Sequence, residues 1–179
     1  MRWRTQLAVV GAVATVYLAG NIAFVKPVMD PRSAERLPLA SLEELVAREP
    51  ENVVALRTLT QRYLDLSMPP RLVIDVVARA PAHVQRDGRV SLNTARAQEA
   101  QGSVRAASAV ATGALNRCAA LPAELAGGAG CDVRAQTELA LLIAALDRMI
   151  QWNISPVTDP RRAALAHDIA SRPIRIGQH

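Results

Sequence analysis

The stretch NVVALRTLTQRYLDLSMPPRLVIDVVARAPAHVQRDGRVSLNTARAQEAQGSVRAASAVATGAL, residues 52–115, decides the fold. Val53, Leu56, Leu59, Tyr63 and Leu66 recur at three- and four-residue steps, which puts one apolar stripe on a helix over about Val53–Leu66. Ser67-Met68-Pro69-Pro70 is the turn, with Pro70 suited to the first position of the next helix. That second helix, about Arg71–Arg79, presents Leu72, Val73, Val76 and Val77, and Pro81 closes it. Asp87-Gly88 marks another turn before a helix over Arg89–Gln101. Gly102 fits the left-handed position after a helix end. Ser103 is placed to cap a fourth helix reaching about Ala119, whose face is Val104, Ala107, Val110, Ala111, Ala114, Leu115 and Cys118. The chain here is two consecutive helical hairpins of nearly equal length, and its alanines let the helices approach closely.

Working outward toward the N-terminus, Pro50 ends a short helix, because the residue before a proline avoids the α region. Ser41-Leu42-Glu43-Glu44 has the spacing of a capping box, and Leu42, Leu45 and Val46 give the helix an apolar face. Residues 27–40 hold three prolines among charged residues and read as a polar spacer. Before it, Leu7–Val25 is apolar, broken only by Thr15 and Asn21 as polar side chains. As a helix, Thr5–Val25 would span about 31 Å, close to the hydrocarbon thickness of a bilayer. A cleaved signal peptide is the alternative, but no good cleavage site follows Ala19, and Asn21 stands where a lipoprotein needs cysteine. The expectation is an uncleaved transmembrane anchor over residues 1–26. Arg2 and Arg4 precede it and only Lys26 follows, so the N-terminus is expected in the cytoplasm and the remainder outside. In a Gram-negative cell that is the inner membrane, with the helical domain in the periplasm.

Toward the C-terminus, Leu121–Gly130 is a loop with Pro122 and three glycines. It lacks the lysine and the strand-to-helix setting of a phosphate-binding loop. Asp132 can cap a long helix to about Trp152, striped by Leu139, Leu142, Ile143, Leu146, Met149 and Ile150. Pro160 opens a last helix to about Ser171. Arg161, Arg162, His167, Asp168 and Arg172 give it a solvated face, and Pro173–His179 is a loose tail. The helical domain is thus expected over residues 41–172.

Composition agrees with an all-α chain. Aromatics are only 3% of the residues, and the apolar content is mostly Ala, Leu and Val, where sheets favour aromatic and β-branched residues. The net charge of +5 weakens on inspection. Without Arg2, Arg4, Lys26 and Asp30, residues 31–179 carry 18 basic and 15 acidic side chains. No basic run interleaved with aromatics occurs, so no nucleic acid is expected as a partner.

The hairpins resemble tetratricopeptide (TPR) repeats, helix–turn–helix units of about 34 residues. Leu56, Leu59 and Tyr63 stand where the family has its first-helix tryptophan, leucine and tyrosine, and Pro50 stands at the boundary-proline position. In the second unit Gly102, Ala107 and Ala114-Leu115 match the turn glycine and the small residues of the second helix. Thr60, Gln98 and Pro69-Pro70 depart from the pattern. The resemblance covers about Pro50–Leu115 and implies a stack of antiparallel hairpins, with the third hairpin as a divergent repeat or cap. It also implies a concave face lined by first helices: Val54, Arg57, Gln61, Leu64 and Asp65 from one unit, Arg89, Leu92, Asn93, Arg96 and Glu99 from the next. Arg57, Gln61, Arg89, Asn93 and Arg96 are the candidate partner-binding residues, able to grip a peptide carboxylate or backbone.

Other chemistry is sparse. Cys118 and Cys131 are the only cysteines, and an even count in an exported domain favours a disulfide over two idle thiols. Their spacing is not that of a thioredoxin-type redox site. His83, His167 and His179 are scattered without metal-ligand spacing. Glu43-Glu44 reads as a capping pair and His167-Asp168 as a solvated face, so no acid–base pair stands out. No enzyme activity, cofactor, metal or small-molecule substrate is expected. The expected function is a membrane-anchored scaffold for protein–protein interaction in envelope assembly, secretion or protein maturation. The alternative is a structural subunit of an envelope complex that packs laterally, without a peptide groove.

Overall fold

The computed structural model describes residues 31–172, and every regular element among them is an α-helix. The anchor expected over residues 1–26 and the tail 173–179 lie outside the described residues. Among the described residues no helix is long and apolar enough to cross a membrane. In chain order the helices are α1 (Pro31–Arg36), α2 (Leu39–Arg48), α3 (Val53–Asp65), α4 (Arg71–Arg79), α5 (Ala82–Gln85), α6 (Gly88–Ala100), α7 (Val104–Ala119), α8 (Ala123–Ala126), α9 (Val133–Gln151) and α10 (Pro160–Ser171).

Capping side chains set four of the ten starts among the described residues. Asn52 accepts from the Ala55 amide at 3.0 Å, Asp132 from Ala135 at 3.1 Å and Asp159 from Arg162 at 3.2 Å. Each such cap is worth about 1 kcal/mol. Gly102, at φ +83°, reverses the chain between α6 and α7, and Ser67 does so at φ +51° between α3 and α4.

The expected stripes face inward. Leu56, Leu59 and Tyr63 of α3, Val73 and Val77 of α4, and Leu139, Leu142, Leu146 and Met149 of α9 are buried. Leu66 and Ile150 are exceptions, exposed at the ends of their stripes. Ala107, Ala111 and Ala114 of α7 are fully buried at helical spacing, so its backbone lies close to α9. The main core joins α6, α7, α9 and α10 around Leu92, Leu139 and Leu146. Each fully buried Leu or Met there contributes about 2–3 kcal/mol of transfer free energy. Neighbours in space follow the sequence: α3 packs on α2, α4 and α6, α6 on α7 and α9, and α9 on α10.

Three local expectations are corrected. There is no capping box at Ser41, because the helix begins two residues earlier. Pro38 sets the extended entry and its carbonyl takes the Leu42 amide, which leaves Ser41 in the first turn. Glu43 instead accepts from the Tyr63 hydroxyl at 2.8 Å, and Glu44 pairs with Arg48. Ser103 occupies the cap position of α7 but makes no side-chain cap bond. Part of the stretch expected as a spacer is also structured. Residues 31–36 are helical, Ala34 is fully buried, and the compact unit starts at Pro31. Arg62 of α3 fastens this segment by donating to the main-chain carbonyls of Glu35 and Leu37.

Candidate functional site

A polar, open cavity of about 560 Å³ lies along α3, α6 and α9. On α3, Val54, Arg57, Thr58, Gln61, Arg62 and Asp65 recur at three- and four-residue steps and form one wall opposite the buried stripe. Arg89, Leu92 and Asn93 of α6 form the floor, and Arg134 and Glu138 of α9 form the far wall. Glu35 of α1 closes the near edge. The size is that of a site for one ligand or a few side chains.

Four of the five candidate partner-binding residues, Arg57, Gln61, Arg89 and Asn93, share this cavity. Arg96 stands beside it, 3.0 Å from the Glu138 carboxylate. Val54, Asp65 and Leu92 also line it, whereas Leu64 and Glu99 do not. Arg62, Thr58, Arg134, Glu138 and Glu35 complete it and were missing from the sequence expectation. For Arg134 and Glu138 the signal was present: they are one helical turn apart on α9, off its apolar stripe.

Most of these groups already have partners. Arg57 gives two hydrogen bonds to Asp87 and one to the Gly128 carbonyl, at 2.7 Å. Arg89 makes a bidentate pair with Asp132, both bonds 2.9 Å. Asn93 is only 3% exposed and donates to Thr60 at 3.0 Å, so it ties α6 to α3 in the interior. Gln61 donates to Asp65 at 2.8 Å. Burial pushes the Asp132 carboxyl upward, but the Ala135 amide and the Arg89 guanidinium outweigh it and hold the group below its usual value. Glu138 follows the same balance, with Arg134 and Arg96 as its cations.

The loop after α7 is built into this site. Cys118 and Cys131 lie at disulfide-bonding distance with Cα atoms 5.2 Å apart, and both are buried. Between them the Ala129 carbonyl accepts the Gly88 amide at 2.9 Å. A Cβ on Gly88 would stand 2.4 Å from the Gly130 carbonyl oxygen, so only glycine permits this approach.

His167 is exposed, as its solvated helix face leads one to expect, and it also has a partner. It lies 2.5 Å from the Glu99 carboxylate of α6, and that hydrogen bond raises its pKa against the opposing effect of burial. A second, more apolar cavity of about 400 Å³ opens between α2, α3 and α4 beside Tyr63. Burial, and then the bond to Glu43, pushes the Tyr63 hydroxyl to about 12. Among the described residues no cluster of three or more His, Cys, Asp or Glu side chains is arranged to hold a metal ion.

No protein-family model matches the chain, and no curated protein or solved structure shows significant similarity to it.

Proposed function

We propose that the protein is a membrane-anchored, TPR-like scaffold whose inner helix face receives an extended segment of a partner protein outside the cytoplasmic membrane. The observation that carries this is the shared cavity: α3, α6 and α9, the first helices of three successive hairpins, all contribute polar side chains to it. The order of contacts, with each first helix packing on its own second helix and on the next first helix, supports the stacked-repeat reading. The apolar run of residues 7–25 between Arg2, Arg4 and Lys26 supports the anchor and its orientation. The bonding distance between the two cysteines suits an oxidising compartment such as the periplasm. On this reading the partner is a protein in envelope assembly, secretion or maturation, and the chain performs no catalysis.

Lateral packing into an envelope complex is the second reading. Leu165 of α10 is 48% exposed and Leu141 of α9 is 40% exposed, which leaves apolar surface at the end of the stack. Photocrosslinking in native membranes separates the two. A photoreactive amino acid at Gln61 is expected to capture a partner protein, and one at Leu165 is not. Adducts at Leu165 alone would transfer the assignment to lateral packing.

A further inference from the structure

One short loop touches all three helices that line the groove. It is the segment between Cys118 and Cys131, which lie at disulfide-bonding distance and 13 positions apart in sequence. On the α3 side, the Gly128 carbonyl accepts from Arg57 at 2.7 Å. On the α6 side, the Ala129 carbonyl accepts the Gly88 amide at 2.9 Å. Gly130, at φ +68°, lies so close to Asp87 that an added Cβ would stand 2.6 Å from its Oδ1. Asp87 is the carboxylate that holds Arg57. On the α9 side, Asp132 follows Cys131 directly, caps α9 and accepts both bonds from Arg89. Arg57 and Arg89, two of the candidate partner-binding residues, are thus each oriented in part by a group beside Cys131. The loop's own hold is weak. Leu125 is 60% exposed, and Leu121, Ala126 and Ala129 are only partly buried against the core. Its internal hydrogen bonds, such as Ala129 to Leu125 and Cys131 to Ala126, fasten it mainly to itself.

Resting on the interaction reading above, we propose that oxidation of Cys118 and Cys131 switches the groove on. The bonded loop holds Arg57 and Arg89 in the orientation that receives the partner segment, and the dithiol form does not. Unbonded, the loop has more conformations to lose on seating, by the chain-entropy argument for a cross-link. When it is unseated, the Asp87 carboxylate, now 4% exposed, meets water, and its shielded pair with Arg57 becomes a solvated one. A side chain fixed in advance loses less freedom on binding, so the seated loop favours the complex. The oxidant is a disulfide donor. One cysteine thiolate attacks a donor sulfur, half of the donor leaves as a thiolate, and the other cysteine displaces the second half. Two thiols give up two protons and two electrons to form one S–S bond, and the donor ends as two thiols. Cys118 and Cys131 are each 2% exposed, so reagents reach the sulfurs only while the loop is open. The switch is therefore set as the chain folds and then holds.

Full-length protein in detergent micelles is followed by NMR in three forms: oxidised, refolded with excess dithiothreitol, and carrying Cys118→Ser with Cys131→Ser. In the oxidised form the Arg57 and Arg89 Nε–H groups and the Gly88 amide are expected to exchange at least tenfold more slowly than in the other two. The methyl signals of Leu142, Leu146 and Met149 are expected to keep their positions in all three. In native membranes, the Gln61 photocrosslink to a partner is expected to fall at least fivefold in the double serine variant at equal protein level. Gly130→Ala, which forces a methyl against Asp87 and leaves both cysteines in place, is expected to give the same loss with the bond intact. Equal exchange in all three forms would overturn the proposal. An undiminished crosslink in either variant would overturn it alone and leave the groove reading standing. Collapse of the methyl signals on reduction would also overturn it, because the bond would then serve the fold as a whole. Absence of the Gln61 crosslink in the wild type would remove the groove reading itself.

Discussion

One carboxylate, Asp87, both starts α6 and binds α3. Its Oδ1 accepts the amides of Arg89 and Val90 at 3.1 Å, and the same group receives the Arg57 guanidinium. Its side chain is 4% exposed and that of Arg57 21%. Loss of either partner strands a largely buried charge. Asp87→Ala is expected to cost about 3 kcal/mol, from the lost cap and the lost charge-assisted bonds. The double variant with Arg57→Ala is expected to be at least about 1 kcal/mol less destabilised than the sum of the singles. Additive losses in urea unfolding would show that the two residues act separately.

Gly88 and Gly113 predict opposite signs for the same substitution. Both lie in helices, where alanine is normally better than glycine by about 0.5–1 kcal/mol. Gly113→Ala meets only the flexible end of Arg117, at 3.4 Å, and is expected to stabilise by that amount. Gly88→Ala drives a methyl into the Gly130 carbonyl, so it is expected to destabilise and to displace the loop. Thermal midpoints of the two variants, measured side by side, check this; a rise for both would contradict the close approach.

The Cys118–Cys131 pair closes a loop of about a dozen residues. In the chain-entropy model such a cross-link is worth about 3 kcal/mol. Cys118→Ser with Cys131→Ser is expected to lower stability by roughly that amount and to raise amide exchange over residues 121–131. Protein isolated without reductant is expected to resist thiol alkylation. Labelling of both cysteines would mean that the bond is not formed.

His167 of α10 pairs with Glu99 of α6, and this pair is expected to make the docking of α10 sensitive to pH. The His167 pKa is raised in the folded protein, so the pair adds stability below the ordinary histidine value. That contribution is lost as pH rises through the raised value. The groups facing the ring are Glu99, which favours its charge, and Arg96, which opposes it. Amide exchange across residues 160–171 is expected to speed up over that rise beyond the intrinsic pH effect, and His167→Gln is expected to remove the excess. An identical pH profile in the variant would assign α10 docking to its apolar face alone.

The helices were legible because burial repeats with the helical period. Leu56, Leu59 and Tyr63, or Leu139, Leu142 and Leu146, announce their own inner face without knowledge of what covers it. Asp132 was legible as a cap for a similar reason, since a cap acts over three residues. Ser41 misled because the competing start, Pro38, stands outside the four-residue pattern. The site was legible only in part. Helical register puts Arg57 with Gln61 on one face of α3 and Arg89 with Asn93 on one face of α6, and only the repeat resemblance joined the two faces; neither carries information about partners distant in sequence. Thr60 meets Asn93 across 33 residues and Arg57 meets Asp87 across 30, and those crossings decide which polar groups are buried and which are reachable. Arg134 and Glu138 escaped because they lie on α9, beyond the two hairpins of residues 50–115 whose register pointed to this face.

Arg62 gives the first helix a mechanical role. Because it grips the carbonyls of Glu35 and Leu37, a pull on the chain at Pro31 does not simply peel α1 away. The load passes sideways into α3, the helix that forms the near wall of the cavity. A load entering at Pro31 is therefore felt along the cavity wall, through Arg62 as well as through the buried Ala34.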